Sequence, residues 1–551
     1  MAMLLAGLAF AAYRPSISGD FIWEDLATIR YNQSLLSYQG LQDILSAHFP
    51  KSHSPLTFAS FWFQHRFWGF QPMGYHMTNT LIHIANAVLL WRILSLMGVS
   101  GALAGAMLFS VYPMTVCSVA WMSGHGAVLS AFFGLLSIFI FMKHADIGGV
   151  DIYFLSLLCF ALACFAKTEM VALPSILPLL WWSQNRRLGG REILRLIPFI
   201  LVATAWGILR LTACLNGTGA RQEVSDVSML HQFLDAIRTV WLYLVHSLLP
   251  LNLTVGYTFG SVTPADTLSW TLSTAFVAVI GIGWYLRDRI GRGFVSALLV
   301  FLFLTLPYTG LMRSSRSVPN LLDLRHVYAG GIALIVAVAA LLDRIISRAP
   351  AFPMVRAGLW TGILVLAAAF TWVRCGAYAN EDVFWQAALK RNLKPSLAHI
   401  NYGAYLMRTG RLDEAQQHIE TAIQPDTGIA AAYVNLAKIW RIKGDIPRAI
   451  GISRKAVERD PYDAAAQFEY GTILWQAGRT QDAIDHFNAV TTIAPQHVNA
   501  HYNLGILYVQ VRDLDYAIGH LSLAALLAPY DTTIHNQLGL LMASRKSGVS
   551  P

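Results

Sequence analysis

The sequence predicts an all-α protein in two parts. A polytopic bundle of transmembrane helices should occupy residues 1–374, and an α-solenoid of helix pairs residues 395–551. Three observations predict this. Of the 551 residues, 55% are hydrophobic and only 13% charged, which suits a membrane protein better than a soluble enzyme. Apolar stretches near spanning length recur through the first 374 residues. After residue 395, small residues return every 34 positions.

The N-terminal stretch 1–13 is apolar but short, since a span needs about 20 residues. It lacks the basic n-region and small-residue cleavage site of a signal peptide, so it reads as a first membrane helix. Ten further apolar stretches follow, at about 75–97, 100–117, 126–142, 151–165, 170–182, 194–213, 268–286, 293–306, 327–342 and 355–373. These make eleven expected spans. A twelfth candidate, about 230–249, carries Asp235 and Arg238 and reads as amphipathic.

Charge decides the twelfth. The densest basic clusters, Arg186, Arg187, Arg191 and Arg195, then Arg287, Arg289 and Arg292, should both be cytoplasmic. Only an even number of crossings can separate them, and 194–213 with 268–286 already make two. The 230–249 helix should therefore lie in the interface. The same parity places the first outer loop, 14–74, and everything after Arg374 on the non-cytoplasmic side. A bacterial inner membrane with a periplasmic outer face is the expected setting. The net charge of +9 sits mostly at helix ends of the membrane part, which argues for lipid and phosphate partners and against nucleic acid. The five cysteines, Cys117, Cys159, Cys164, Cys214 and Cys375, lie in or beside apolar segments and show no metal or disulfide spacing.

Residues 375–394, with Glu381, Asp382 and Trp385, read as a connector helix. Then Gly403, Ala437, Gly471, Gly505 and Gly539 recur 34 apart, and Ala415, Ala449, Ala483 and Ala517 follow the first four by twelve. Pro461, Pro495 and Pro529 each stand ten residues before the next of these glycines. Small residues where two helices cross, at this period, are the tetratricopeptide signature: four repeats and a capping helix. Such an array stacks into a solenoid with a concave face. Two residues before each small residue stand Asn401, Asn435, Glu469, Asn503 and Gln537. One polar residue per first helix makes a ladder that could bind an extended peptide backbone, or serve helix packing or docking instead.

The membrane part carries Phe21-Ile22-Trp23-Glu24-Asp25, Ser54-Pro55-Leu56-Thr57, and Trp68-Gly69-Phe70-Gln71-Pro72-Met73-Gly74-Tyr75-His76 with Asn79 and His83. Tyr112-Pro113, Val119-Ala120-Trp121, Ser123-Gly124, Lys167, Leu249-Pro250-Leu251-Asn252-Leu253, Arg325-His326-Val327-Tyr328 and Trp385 with Ala388-Leu389 extend the pattern. With the repeats behind it, this resembles the transmembrane-and-TPR O-mannosyltransferases of the GT-C superfamily. The resemblance covers almost the whole chain. It implies an inverting transfer of a sugar from a polyprenyl-phosphate donor to an acceptor, expected to be protein, on the non-cytoplasmic side. The acidic pair Glu24 and Asp25 would centre the active site, with Asp20 competing as base. The sequence departs from the pattern at Ser54, Cys117, His125, Ala127 and Leu324. A catalytically inactive envelope or secretion scaffold, or a transferase for glycan or lipid, therefore stays open beside the enzyme reading.

Such a transfer needs a base, cations for the departing phosphate and a groove for the lipid tail. A carboxylate at the membrane face suits the first, because partial desolvation raises its pKa. Asp25, Asp20 and Glu24 are the candidates, with loop capping or ion pairing as their ordinary alternatives. Arg325, Lys167, Arg313 and Arg316, with Tyr328, are the candidate phosphate ligands, and snorkelling or pairing with Asp323 or Glu169 is the alternative. His76, Tyr75 and His125 would line the pocket unless they are structural. His48, His53 and His65 share the acidic loop, but their spacing fits no ligand pattern, so a divalent metal is not favoured.

Overall fold

The computed structural model describes residues 1–46, 54–186, 189–217, 229–250, 253, 257–258, 266–309, 321–348, 353–391, 396–423 and 429–547. It is helical almost throughout. Among the described residues, the one strand pairing joins Tyr257–Thr258 antiparallel to Leu321–Leu322. The described helices up to Arg391 belong to one compact unit, and those from Ser396 onward to a second.

Among the described residues of the first unit, six helices are long and apolar enough to cross a membrane: Pro72–Leu96, Met122–His144, Gly190–Thr212, Thr267–Tyr285, Leu324–Ser347 and Pro353–Tyr378. A seventh arises if the bent pair Ala102–Ser110 and Pro113–Val119 counts as one span. Eleven were expected. The difference lies in helix length: Ala2–Ile17, Val150–Ala166 and Arg292–Tyr308 are apolar but shorter, and Leu173–Ser183 has only 11 residues. Proline explains part of this. Pro113 opens a 3-10 turn that bends its segment by 44°, and Pro174 and Pro178 sit within the short helix Leu173–Ser183.

Burial separates inner from outer helices. The apolar window of Met122–His144 is 61% buried by protein, that of Thr267–Tyr285 only 11%. A helix apolar all round but barely covered by protein is one that lipid covers. Met229–Leu248 is not among the six. It buries Leu234, Ile237, Val240, Tyr243 and Leu244, while Arg238 pairs with Asp266 at 2.8 Å.

The first interruption, expected as a long loop, is largely folded. Tyr38–Leu45 is capped by Ser37, whose hydroxyl accepts from the Gly40 N–H, and Pro55 opens the helix Pro55–Trp68. Phe21, Ile29, Leu35, Ile44, Phe61, Trp62, Tyr75 and Met122 form its core. This buried core ties the loop to the start of the helices beginning at Pro72 and Met122.

The second unit contains the helix pairs Ser396–Arg408 with Leu412–Ile423, Ala430–Ile442 with Ile446–Arg459, Ala464–Gln476 with Thr480–Ile493, and Val498–Gln510 with Leu514–Leu527, then a last helix, Thr532–Ser547. The repeated alanines Ala415, Ala449, Ala483 and Ala517 are all 0% exposed. The repeated glycines are small for a steric reason. A Cβ on Gly505 would stand 2.6 Å from Leu521 Cγ, and one on Gly403 2.5 Å from Ile419 Cδ1. At Gly539, in the last helix, nothing lies within 4 Å.

Each turn between paired helices uses a left-handed residue. Gly410, Gly444 and Gly478 adopt φ of +79°, +85° and +76°, and Arg512 takes the same place in the fourth pair at +63°. A side chain there costs about 1–2 kcal/mol relative to glycine. Arg512→Gly should therefore stabilise the repeat unit by about 1 kcal/mol. Gly505→Ala should destabilise it by about 1–3 kcal/mol through overpacking, and Gly539→Ala should be neutral or mildly stabilising. Amide hydrogen exchange over 498–547 in the full-length protein reads all three signs.

Candidate functional site

The acidic loop begins where the helix Ala2–Ile17 ends. The Asp20 N–H donates to the Ala379 carbonyl at 2.9 Å, and the Asp20 carboxylate accepts from the Phe21 N–H at 2.7 Å. Asp20 is otherwise exposed. Trp23 then adopts φ +46°, an unfavourable conformation for a bulky residue. Its ring compensates by stacking on Trp121, with centroids 5.5 Å apart, and by meeting Trp385 edge-on at 5.0 Å. This turn sends the next two side chains in different directions.

Asp25 points inward and is 0% exposed. One carboxylate oxygen accepts from the Ser123 N–H at 2.7 Å and from the Ser123 hydroxyl, the other from the Ile22 N–H at 3.1 Å. Burial pushes its carboxyl up to about 7, against the pull of these bonds and of Arg325. Glu24 points outward, 39% exposed, and its Oε2 lies 2.7 Å from Arg325 Nη1.

Arg325 enters from the short turn Leu324–Val327, whose N-cap Asp323 accepts from the Arg325 N–H at 2.8 Å. The Asp323 carboxylate also binds the Nε and Nη2 edge of the guanidinium. Burial alone would raise the Asp323 carboxyl, but Arg325 and His326 hold it well below the usual range. One face of the guanidinium lies 4.0 Å from the Trp121 ring centroid. Lys167, in the extended residue after Val150–Ala166, donates to the Arg325 carbonyl at 3.3 Å and pairs with Glu169 at 3.1 Å. Glu169 is fully buried, and burial raises its carboxyl against the pull of Lys167. Tyr308 stacks on His326, centroids 3.7 Å apart, with Lys167 Nζ 5.1 Å from the Tyr308 ring.

The same unit holds an apolar cavity of about 710 Å³. Leu94, Leu135, Met170, Ile176, Val300 and Val336 are among its lining residues. Met170, the residue after Glu169, lines it, whereas Glu24, Asp25, Lys167 and Arg325 do not. Arg186 and Arg344 also line it.

The structure thus brings together Glu24, Asp25, Arg325 and Lys167, and leaves Asp20 at the rim. Four expected residues serve the interior instead. The Tyr328 hydroxyl is 2.7 Å from His83 Nδ1 and accepts from Asn86 at 3.1 Å, so it is a core bond and not a partner of Arg325. His125 sits between Asn79 Oδ1 at 2.7 Å and Ser60 Oγ at 2.8 Å, and the Tyr75 hydroxyl donates to the Gly69 carbonyl at 2.8 Å. His76 is buried under Gly19, where a Cβ would stand 3.1 Å from its Nε2. Arg313, Arg316, His48 and His53 lie outside the described residues, and His65 bonds the Gly69 carbonyl at 3.1 Å. Among the described residues, no group of three His, Cys, Asp or Glu could hold a metal. Sequence reasoning passed over Ser123 and Trp121 as contributors, although both lie in the matched motifs. It had no signal at all for Tyr308.

In the repeat unit, Asn401, Asn435, Asn503 and Gln537 are half-buried. Glu469 breaks the ladder: it is 3% exposed and its Oε1 accepts from Arg441 Nε at 2.7 Å.

The buried Asp25 carboxyl links loop stability to pH. Its pKa is raised on folding, so its contribution is complete below the unfolded value of about 4 and is lost as pH rises through about 7. Hydrogen-exchange protection of amides 20–30, corrected for intrinsic rate, should rise as pH falls from 8 to 5. In Asp25→Asn that pH dependence should disappear.

Residues 405–464 and 443–498 match the tetratricopeptide repeat family. The chain is also similar to proteins named protein O-mannosyl-transferase. The tmtc2 protein of Xenopus laevis is 30% identical over 172 residues, 29% of this chain and 20% of that protein. Mus musculus TMTC2 is 31% identical over 27% of this chain and 19% of its own length. F38B6.6 of Caenorhabditis elegans is 22% identical over 49% of this chain and 41% of its own. The chain thus spans about a fifth of the first two and two fifths of the third. A crystal structure of MamA aligns with TM-score 0.25 and 20% identity, over 28% of this chain and 84% of that one.

Proposed function

We propose that the chain is an integral-membrane glycosyltransferase of GT-C type. It would transfer a sugar from a polyprenyl-phosphate donor, with inversion, to a protein hydroxyl recruited by the repeat unit on the non-cytoplasmic side. The observation that carries this reading is the convergence of an acid pair and two cations, in a unit that also holds an apolar cavity. Glu24 and Asp25 supply a carboxylate close to Arg325 and Lys167, and the Lys167–Glu169 pair adjoins the lining residue Met170. Each part answers a requirement of the reaction. The cavity accommodates the isoprenoid tail, the cations take the charge developing on the departing phosphate, and the acid pair takes the acceptor proton. Similarity to proteins named O-mannosyl-transferases supports mannose as the first sugar to test. The half-buried carboxamides of the repeat helices support an extended peptide acceptor.

The test is transfer from a mannosyl-phosphoryl polyprenol to unfolded or peptide acceptors by the purified full-length protein. Arg325→Gln and Lys167→Met should each lower turnover by about 100-fold, the scale of losing one charge-stabilising donor. Unchanged turnover in both would remove the site from the chemistry. The absence of transfer from every donor would favour the scaffold reading.

A further inference from the structure

We infer that Glu24 is a displaceable latch on Arg325: the donor phosphate takes its place, and the released carboxylate deprotonates the acceptor hydroxyl. This rests on the transfer reading above and assigns separate tasks to the two acids of the pair.

Four carboxylates surround the two cations, and they differ in how firmly they are held. Asp25 is fully buried and accepts three hydrogen bonds from Ile22 and Ser123. Asp323 is 9% exposed, grips the Nε and Nη2 edge of Arg325 and caps its own turn. Glu169 is 0% exposed beside Lys167. Glu24 is 39% exposed and holds Arg325 through Nη1.

The guanidinium has one edge on Asp323 and one face on Trp121. The position that an incoming oxyanion can take is therefore the one Glu24 occupies. Carboxylate and phosphate oxygens make the same charge-assisted bond to a guanidinium N–H. Exchange thus leaves Arg325 as well paired as before. An unpaired buried arginine, which would be far more costly, never arises.

The exchange frees Glu24 only when a donor is present. Its backbone stays in place, because Asp25 is anchored to Ser123 and Trp23 is stacked on Trp121. In the transfer step the acceptor O–H proton moves to a Glu24 oxygen and the acceptor oxygen bonds to the sugar C1. The C1–O bond to phosphate breaks with its electron pair going to the phosphate oxygen, beside Arg325 and Lys167. Glu24, partly exposed, then returns its proton to solvent and rebinds Arg325 as the lipid phosphate leaves.

The probe is farnesyl phosphate, with farnesol as control, titrated against the full-length protein in nanodiscs. Glu24→Gln removes the competing anion, so it should bind farnesyl phosphate roughly threefold or more tightly than wild type, the scale of a partly exposed ion pair. In an Arg325→Gln background the advantage should vanish, because the two residues act through one contact. Farnesol affinity should not change. With a transferable donor, Glu24→Gln should lower KM and kcat together, a pattern that simple loss of structure does not produce. Equal or weaker farnesyl phosphate binding by Glu24→Gln overturns the latch, as does no saturable binding by either protein. Undiminished transfer by Glu24→Gln overturns its role as base and returns that role to Asp20 or Asp25. If wild type transfers no sugar while Glu24→Gln binds the probe more tightly, the latch stands and the glycosyltransferase reading fails.

Discussion

The candidate site depends on how one largely buried guanidinium is neutralised. Arg325 lies between Glu24 and Asp323, with its face on Trp121. Leaving such a charge without partners in a membrane protein would cost several kcal/mol. Asp323 solves part of the problem locally, by capping the turn that carries Arg325. Glu24 solves the rest from about 300 positions away in sequence, and that contact joins the segment after the first helix to the helix Leu324–Ser347. Placement of the acidic pair, the Trp23 turn and the Lys167–Glu169 pair all follow from the need to satisfy charge near a low-dielectric interior.

The two acids of the pair are neighbours in sequence but not in environment. Trp23, in its strained conformation, turns Asp25 into protein and Glu24 toward solvent. The result is one carboxylate fixed by backbone donors and another held by a single exchangeable partner. Functional sites commonly hold such strain where surrounding packing over-determines it, here through Trp121 and Trp385. The aromatic wall therefore orients the acids as well as covering them.

The repeat unit follows a different logic. Its order comes from a periodic steric rule, in which glycine or alanine lies wherever a neighbouring side chain approaches within van der Waals contact. A second, backbone rule puts glycine at the left-handed turn position in three pairs, and Arg512 departs from it in the fourth. Glu469, tied to Arg441, similarly departs from the run of carboxamides. Both exceptions fall in the third and fourth pairs, which makes the surface less uniform than the 34-residue period suggests.

The sequence by itself determined the helical class, the change from apolar segments to 34-residue repeats, and Glu24, Asp25, Lys167 and Arg325 as residues of interest. These were legible because hydropathy, period and local motifs are properties of neighbouring residues. The number of full-length spans was not, because proline bends and short helices depend on how a segment packs. Nor did local sequence distinguish Tyr328 and His125, which bond within the core, from Arg325, which does not. Only the tertiary structure decided which acid is anchored and which meets the arginine. The physical reason is distance along the chain: Ser123, Trp121 and Tyr308 meet Asp25, Trp23 and Lys167 through packing, and burial of a charge is known only when its surroundings are.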